Sequence, residues 1–226
     1  MQKTKRNEEL KKLVAAAVFA ALAFAISWLC NIVPIAYIPT LSFLHYDGKD
    51  VVIALCGLIL GPIYALGVSL AAALLELSIS STGFIGMVMN FLSSAIFACS
   101  CALIYKAVKN IKGALLGLGS AVVLTTAFML VWNYLITPLY MGIPREAIAA
   151  MLIPAFLPFN LIKYGINAAV CLLVYKPVVN TLRQAGVLPK VNREKFALKS
   201  TVPAVCVGVC ALIICVVAAF YFSGNI

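Results

Sequence analysis

The sequence predicts an all-α integral membrane protein that crosses the bilayer several times. Hydrophobic residues make up 64% of its 226 residues, charged residues make up only 11%, and the mean hydropathy is +1.09. A soluble domain usually has about 45–50% apolar and about 25% charged residues, so the excess apolar surface requires lipid. The net charge of +10 lies in short clusters between apolar runs, which is typical of membrane topology rather than of a nucleic-acid-binding surface.

The apolar runs define the candidate spans, because a spanning helix needs about 20 apolar residues. The long runs cover 10–33, 84–105, 114–136, 153–175 and 202–222, and two shorter runs cover 51–60 and 63–75. Gly61-Pro62 separates the two shorter runs and is a turn signal. These runs therefore form either one kinked span or two short helices, which makes six or seven spans.

The basic residues choose between these two counts. Most Lys and Arg residues form three clusters: Lys3, Lys5, Arg6, Lys11 and Lys12; Lys106, Lys109 and Lys112; and Lys176, Arg183, Lys190, Arg193, Lys195 and Lys199. Basic loops stay on the cytoplasmic side, and all three clusters share that side if Gly61-Pro62 is a cytoplasmic turn. Seven helices then place the N-terminus inside, the C-terminal tail outside, and the segments 34–50, 76–83 and 139–154 at the outer surface.

Polar residues recur at helical spacing inside the predicted spans. They include Glu76, Asn90, Asn133, Thr137, Tyr140, Asn160, Lys163 and Asn167, and the last three share one helix face. A charged residue in the apolar zone costs roughly 2.5–3.5 kcal/mol and usually faces a protein interior or a wet cavity. We therefore expect Lys163 to pair with Glu76 or Asp47. The pair either holds helices together or belongs to a binding site.

Asparagine amides offer both hydrogen-bond donors and acceptors, so they match a flat heterocycle with an imide or amide edge. Aromatic walls could come from Tyr46, Trp132, Tyr134, Tyr140, Phe159 and Tyr164, although such residues also mark membrane interfaces. The sequence has no HExxH, GxSxG or P-loop motif, and its eight cysteines form no CxxC pair. This pattern argues against an enzyme and a metal site, and any active transport requires energy from a partner or an ion.

The first span carries a run of small residues. Ala16 and Ala20 are four apart, as are Ala17, Ala21 and Ala25. Small residues at this spacing let another helix approach closely. They serve either internal packing or docking of a partner subunit.

Several segments together resemble the substrate-binding (S) components of energy-coupling factor (ECF) transporters, and in particular the riboflavin-specific members. These segments are Tyr46-Asp47-Gly48-Lys49-Asp50-Val51, Gly61-Pro62, Leu75-Glu76, Ser81-Thr82-Gly83, Met89-Asn90-Phe91-Leu92-Ser93-Ser94, and the stretches 132–146 and 157–163. The likeness covers roughly residues 10–186 in order and spacing.

The resemblance implies a six-helix S-component core at 1–186, with a vitamin site open to the outside. A basic cytoplasmic linker at 187–201 and an extra C-terminal transmembrane helix at 202–226 lie outside the family pattern. The substrate-binding residues implied are Asn133, Asn160, Lys163, Asp47, Tyr46, Lys49, Glu76, Asn90 and Tyr140, with the loop around Asp47 closing over the flavin. Riboflavin would be transported cargo, with no further cofactor.

The resemblance also implies partners. The alanine face of the first helix, Ala16, Ala17, Ala20, Ala21 and Ala25, would dock on a transmembrane coupling protein driven by two cytoplasmic ATPase subunits. Tyr164 departs from the family pattern, because a small residue is expected beside the lysine. The alternatives are an S component for another vitamin, such as folate, thiamine or a deazapurine, or a membrane scaffold that binds no ligand. One lysine provides little for a phosphate, so uncharged riboflavin is expected over flavin mononucleotide.

Overall fold

The computed structural model describes residues 2–36, 44–80, 83–108, 111–188 and 201–225, and these ranges are almost entirely helical. The helices are α1 (Gln2–Ile32), α2 (Lys49–Leu60), α3 (Pro62–Glu76), α4 (Gly83–Ala107), α5 (Ile111–Leu135), α6 (Thr137–Met141), α7 (Arg145–Met151), a π-helix (Leu152–Phe156), α8 (Leu157–Gln184) and α9 (Thr201–Asn225). Within these ranges, the extended pairing consists of one isolated bridge between Ala36 and His45.

Five stretches of the described chain are long and apolar enough to cross a membrane. They are Arg6–Ile32, Gly83–Ala107, Lys112–Leu139, Arg145–Gln184 and Val205–Ser223, and Pro62–Glu76 is a shorter apolar helix. Their number and composition make the chain a multi-pass membrane protein.

The two short apolar runs form separate helices that are joined by a tight turn. Gly61 has a φ of 111°, a conformation that favours glycine, and its N–H donates to the Gly57 carbonyl at 3.0 Å. Pro62 then begins α3, where its missing N–H costs nothing. A Cβ at Gly57 would lie 3.1 Å from the Cβ atoms of Ala65 and Ala102, so α2 packs closely on α3 and α4.

Helix α2 occupies the centre of the bundle. Ten of its twelve residues are buried, and it packs against α1, α3, α4 and α8. Because an apolar side chain in lipid gains little from burial alone, close packing and polar contacts must fix such a helix. This position lets the polar residues at its N-terminal end reach several other helices.

The Gly61-Pro62 turn lies at the same end of the bundle as two basic clusters. A cavity of about 460 Å³ at that end is lined by Gly61, Pro62, Lys106 and Arg183, among others. The distribution of charges alone predicted that this turn and the basic clusters share one side of the membrane. In the structure, Lys106 and Arg183 lie beside the turn. The bases at 109 and 190–199, with most of the predicted linker at 187–201, lie outside the described residues.

A π-helix precedes α8 and was not predicted from the sequence. The N–H of Leu157 donates to the carbonyl of Leu152, five residues earlier. Pro154 and Pro158 cannot donate the backbone hydrogen bonds that a continuous α-helix needs in this region. The wider turn rotates the start of α8 and thereby sets the direction in which its polar side chains project.

Candidate substrate-binding site

A cavity of about 380 Å³ lies at the end of the bundle opposite the Gly61-Pro62 turn. Helices α1, α3, α4, α5 and α8 and the loop before α2 contribute to its wall. Six polar residues predicted from the sequence line it: Asp47, Glu76, Asn90, Asn133, Asn160 and Lys163. The structure therefore collects most of the predicted polar residues around one space, although they come from five separate segments.

Lys49 is the centre of a buried ionic cluster beside this cavity. Its Nζ lies 2.6 Å from Glu76 Oε2 and 2.9 Å from Asp47 Oδ2, and only 2% of its side chain is exposed. Asn90 Nδ2 donates to the same Glu76 oxygen at 2.9 Å, and Ser27 Oγ donates to Asp47 Oδ2 at 3.3 Å. We call Asp47, Lys49 and Glu76 the ionic triad. It joins the loop before α2 to the C-terminal end of α3.

The prediction that Lys163 pairs with Glu76 or Asp47 is wrong at the level of direct contact. Among the described residues, both carboxylates pair with Lys49 instead. The reason is position, since Lys49 begins α2 and lies between the two acids. Lys163 lies on the cavity wall, with its Nζ 5.5 Å from the centroid of the Tyr164 ring.

The ionisation of Asp47 follows from these charges. This residue lies in the loop before α2, outside the spanning helices. Burial raises the pKa of Asp47, but the positive charges of Lys49 and Lys163 outweigh burial and lower this pKa to about 2. Asp47 is therefore an anion across the physiological pH range, and Lys163 influences it through the electric field without touching it.

The two cavity asparagines are held by their own helices. Asn160 Nδ2 donates to the Phe156 carbonyl at 2.7 Å, at the junction of the π-helix and α8. Asn133 Nδ2 donates to the Met129 carbonyl at 2.8 Å, and its Oδ1 accepts from Thr137 Oγ1 at 3.0 Å. Both residues are at least 97% buried, so these bonds fix the amides before any ligand arrives.

Other predicted site residues stand behind the cavity wall. Tyr46 OH donates to Asn167 Oδ1 at 2.7 Å, and Asn167 Nδ2 donates to the Asp47 backbone carbonyl at 3.1 Å. These bonds attach the loop before α2 to α8. Tyr46, Lys49 and Asn167 are absent from the cavity lining and support residues that do line it. Tyr140 lies in α6, and its side chain is outside the described part of the chain.

Tyr164 does not narrow the cavity. Its side chain is fully buried in the central core and stacks on Phe97, with ring centroids 5.5 Å apart. Among the other candidate aromatic walls, Phe159 lines the cavity, whereas Trp132 packs on Phe128 and Tyr134 lies beneath Arg145. The departure at Tyr164 therefore changes core packing on the far side of α8.

The sequence reasoning missed several lining residues. They include Ser27, Asn31, His45, Met89, Met129 and Met141. A signal was present for two of them, because Ser27 and Asn31 are polar, four residues apart, and lie within the first apolar run. The methionines carried no such signal, since a methionine in a span is most often packing.

The alanine face of α1 divides into two surfaces. Ala16 and Ala20 are buried within the bundle, whereas Ala17, Ala21 and Ala25 are exposed. The first pair lets α1 approach the helices of this chain. The three exposed alanines lie on the exterior of the bundle. Their four-residue spacing allows a helix of another protein to pack closely against them.

Comparison with known proteins places this architecture in a family. A family model described as "ECF transporter, substrate-specific component" matches residues 11–175. The chain is 28% identical to the "Riboflavin transporter RibU" of Staphylococcus aureus (strain TCH60) over 183 residues, which cover 78% of this chain and 95% of that protein. It is also 28% identical to the protein of that name from Streptococcus thermophilus (strain ATCC BAA-250 / LMG 18311), with 73% of this chain and 82% of the relative covered.

A solved structure agrees with this assignment. Its title is "Structure and mechanism of the S component of a bacterial ECF transporter", and it matches with a TM-score of 0.64 and 28% identity. The match covers 77% of this chain and 99% of that chain. Helix α9 lies beyond the residues that the family model matches. The family match, the helical bundle and its polar cavity agree, and this chain belongs to the substrate-specific components of ECF transporters.

Proposed function

We propose that this chain is the high-affinity riboflavin-binding subunit of an ECF-type vitamin uptake transporter. The observation that carries the proposal is the convergence of Asn133, Asn160 and Lys163 on one cavity of about 380 Å³. Flavins present a flat ring with carbonyl and imide groups along one edge, and amides and an ammonium group complement that edge. The family match and the two riboflavin-transporting relatives support the same ligand.

The charge of the site favours the uncharged vitamin. Asp47 and Glu76 both line the cavity, and Lys163 is the one lysine in its described lining. A phosphate ester would bring about −1.5 to −2 charges close to these carboxylates, and like charges in a partly buried site repel strongly. We expect riboflavin to bind more tightly than flavin mononucleotide.

Transport requires partners that supply energy. In our proposal, Ala17, Ala21 and Ala25 of α1 dock on a transmembrane coupling protein, which two cytoplasmic ATPase subunits drive. Exposure of all three residues at four-residue spacing supports this role. The basic residues beside the Gly61-Pro62 turn support a cytoplasmic location for that end, with the N-terminus inside, the cavity facing outward and the C-terminal tail outside.

The first test is the absorbance spectrum of the full chain purified in detergent from cells. Oxidised flavin absorbs blue light, and we expect a yellow protein with near-stoichiometric flavin. A titration that follows quenching of riboflavin fluorescence then gives the affinity, which we expect to be submicromolar, with flavin mononucleotide, folate and thiamine as competitors. A colourless protein that also fails to quench added riboflavin would overturn the flavin assignment.

A further inference from the structure

Helix α9 packs on α8 through a fitted interface. A Cβ added to Gly165 of α8 would lie 2.7 Å from the Sγ of Cys215, which is too close for nonbonded carbon and sulfur atoms. A Cβ added to Gly208 of α9 would lie 3.0 Å from the Leu173 side chain. Each helix therefore supplies a glycine at which a side chain of the other helix fits. Such small-residue niches produce close helix packing in lipid.

The contacts between these helices continue to the level of the substrate cavity. Gly208 meets Leu173 and Cys215 meets Gly165, so the two helices run antiparallel. Further along α9, Ala218, Ala219 and Phe222 pack against a cluster formed by Ala155, Phe159 and Ile162. This cluster spans the junction between the π-helix and α8.

Phe159 connects that cluster to the cavity. Its side chain lines the cavity and is only 5% exposed, because its remaining surface is covered by the cluster. Few backbone hydrogen bonds hold the segment before Phe159, since Pro154 and Pro158 lack N–H groups and the π-helix is less favourable than an α-helix. Packing from behind must therefore contribute to the position of this wall.

We propose that α9 is a part of the substrate site. From behind the cavity wall, this helix positions Phe159 and the neighbouring Asn160. The helix lies outside the range of the family match, yet its outer end supports the segment that carries two cavity residues. This inference rests on the proposed function for the identity of the ligand. Phe222 and Cys215 are positioning residues in this account, because they act through α8.

The first experiment compares two phenylalanines near the end of α9. Phe222 packs against the cluster at the π-helix, whereas Phe220 is 76% exposed on the lipid-facing side. In the full chain, we expect Phe222→Ala to weaken riboflavin binding about tenfold, mainly through faster release, and Phe220→Ala to leave it unchanged. Equal affinities for the two variants would overturn the proposal.

A second pair of variants tests the helix interface through compensation. The Gly165→Ala substitution places a methyl group against Cys215 Sγ and should push α9 away from α8, which weakens binding. Adding Cys215→Ala removes the sulfur that the new methyl group would meet, and it should restore the affinity of the parent. An effect of residue 165 on the cavity itself would not be rescued in this way, so a double variant that binds as weakly as Gly165→Ala would contradict the proposal.

Hydrogen–deuterium exchange without ligand separates this inference from the flavin assignment. We expect Phe222→Ala to speed exchange in the peptide that covers Leu152–Phe156 and the start of α8, while Phe220→Ala does not. If the parent protein binds no riboflavin but this exchange difference is present, the flavin assignment fails and the role of α9 stands. If riboflavin binds and neither exchange nor affinity responds to Phe222→Ala, the role of α9 fails.

Discussion

Two lysines near the substrate cavity have opposite surroundings. Lys49 is 2% exposed, contacts two carboxylates within 3 Å, and is absent from the cavity lining. Lys163 is half-buried, lines the cavity, and forms no ion pair with the described residues. The comparison shows that a charge in a membrane protein can be a structural counter-ion or a ligand-facing group. Its contacts, rather than its depth, decide which role it has.

Removing Lys49 should have the largest effect on stability. The Lys49→Met substitution leaves Asp47 and Glu76 buried beside each other without a counter-ion, and breaking such a pair costs about 3–5 kcal/mol. We expect a large fall in the thermal unfolding temperature of the riboflavin-free protein in detergent. Lys163→Met is the matched control and should lower that temperature much less, because Lys163 acts on Asp47 only at a distance. A Lys49→Met protein as stable as the parent would mean that the triad is not structural.

Substitutions on the cavity face of α8 should produce the complementary result. We expect Asn160→Ala and Lys163→Ala each to weaken riboflavin binding about 10-fold to 100-fold, because each removes a polar contact in a desolvated site. The unfolding temperature of the riboflavin-free protein should stay close to that of the parent for Lys163→Ala. It should fall moderately for Asn160→Ala, because this substitution removes the buried hydrogen bond to the Phe156 carbonyl. Fluorescence titration measures the affinity, and thermal unfolding without riboflavin measures the fold. If both variants bind as well as the parent, the proposed site is wrong.

Acid should weaken the triad in a smaller and graded way. The folded pKa of Asp47, about 2, lies below the value of about 3.9 for an unfolded chain. The contribution of Asp47 is therefore complete above about pH 5 and is lost as the pH falls towards 2, with about 1 kcal/mol lost by pH 3. We expect a constant unfolding temperature from pH 8 to pH 5 and a decline below pH 4. In the Asp47→Asn variant this decline should be smaller, and an identical decline would contradict the assignment.

Much of the fold could be predicted from the sequence, because a helix that crosses lipid must be apolar and about 20 residues long. Run lengths and the positions of basic residues predicted the long helices, and Gly61-Pro62 marked the turn between α2 and α3. The π-helix at Leu152–Phe156 was not predicted, because its i→i+5 hydrogen bonds depend on the packing around this segment. Pro154 and Pro158 lie four residues apart, a spacing that disturbs an α-helix without specifying the form of the disturbance.

Part of the cavity wall could be predicted from the spacing of polar residues along single helices. Helical spacing placed Asn160 and Lys163 on one face, and the structure puts both on the cavity wall. Spacing within one helix says nothing about which acid meets which lysine. The charge pattern predicted that Lys49 lies in an outer loop. In the structure it begins α2, and the packing of α2 at the centre of the bundle brings Lys49 between Asp47 and Glu76.

The ionic triad also constrains how this protein can change over evolutionary time. Lys49 carries the one positive charge that pairs with both Asp47 and Glu76. Loss of the lysine leaves two buried acids without a counter-ion, and loss of either acid changes the net charge of the remaining pair. A single substitution at one of these positions therefore gives a destabilised protein, whereas simultaneous substitutions at all three positions do not. We expect these three positions to be kept or exchanged as a set among descendants of this sequence, even where cavity residues diverge with the cargo.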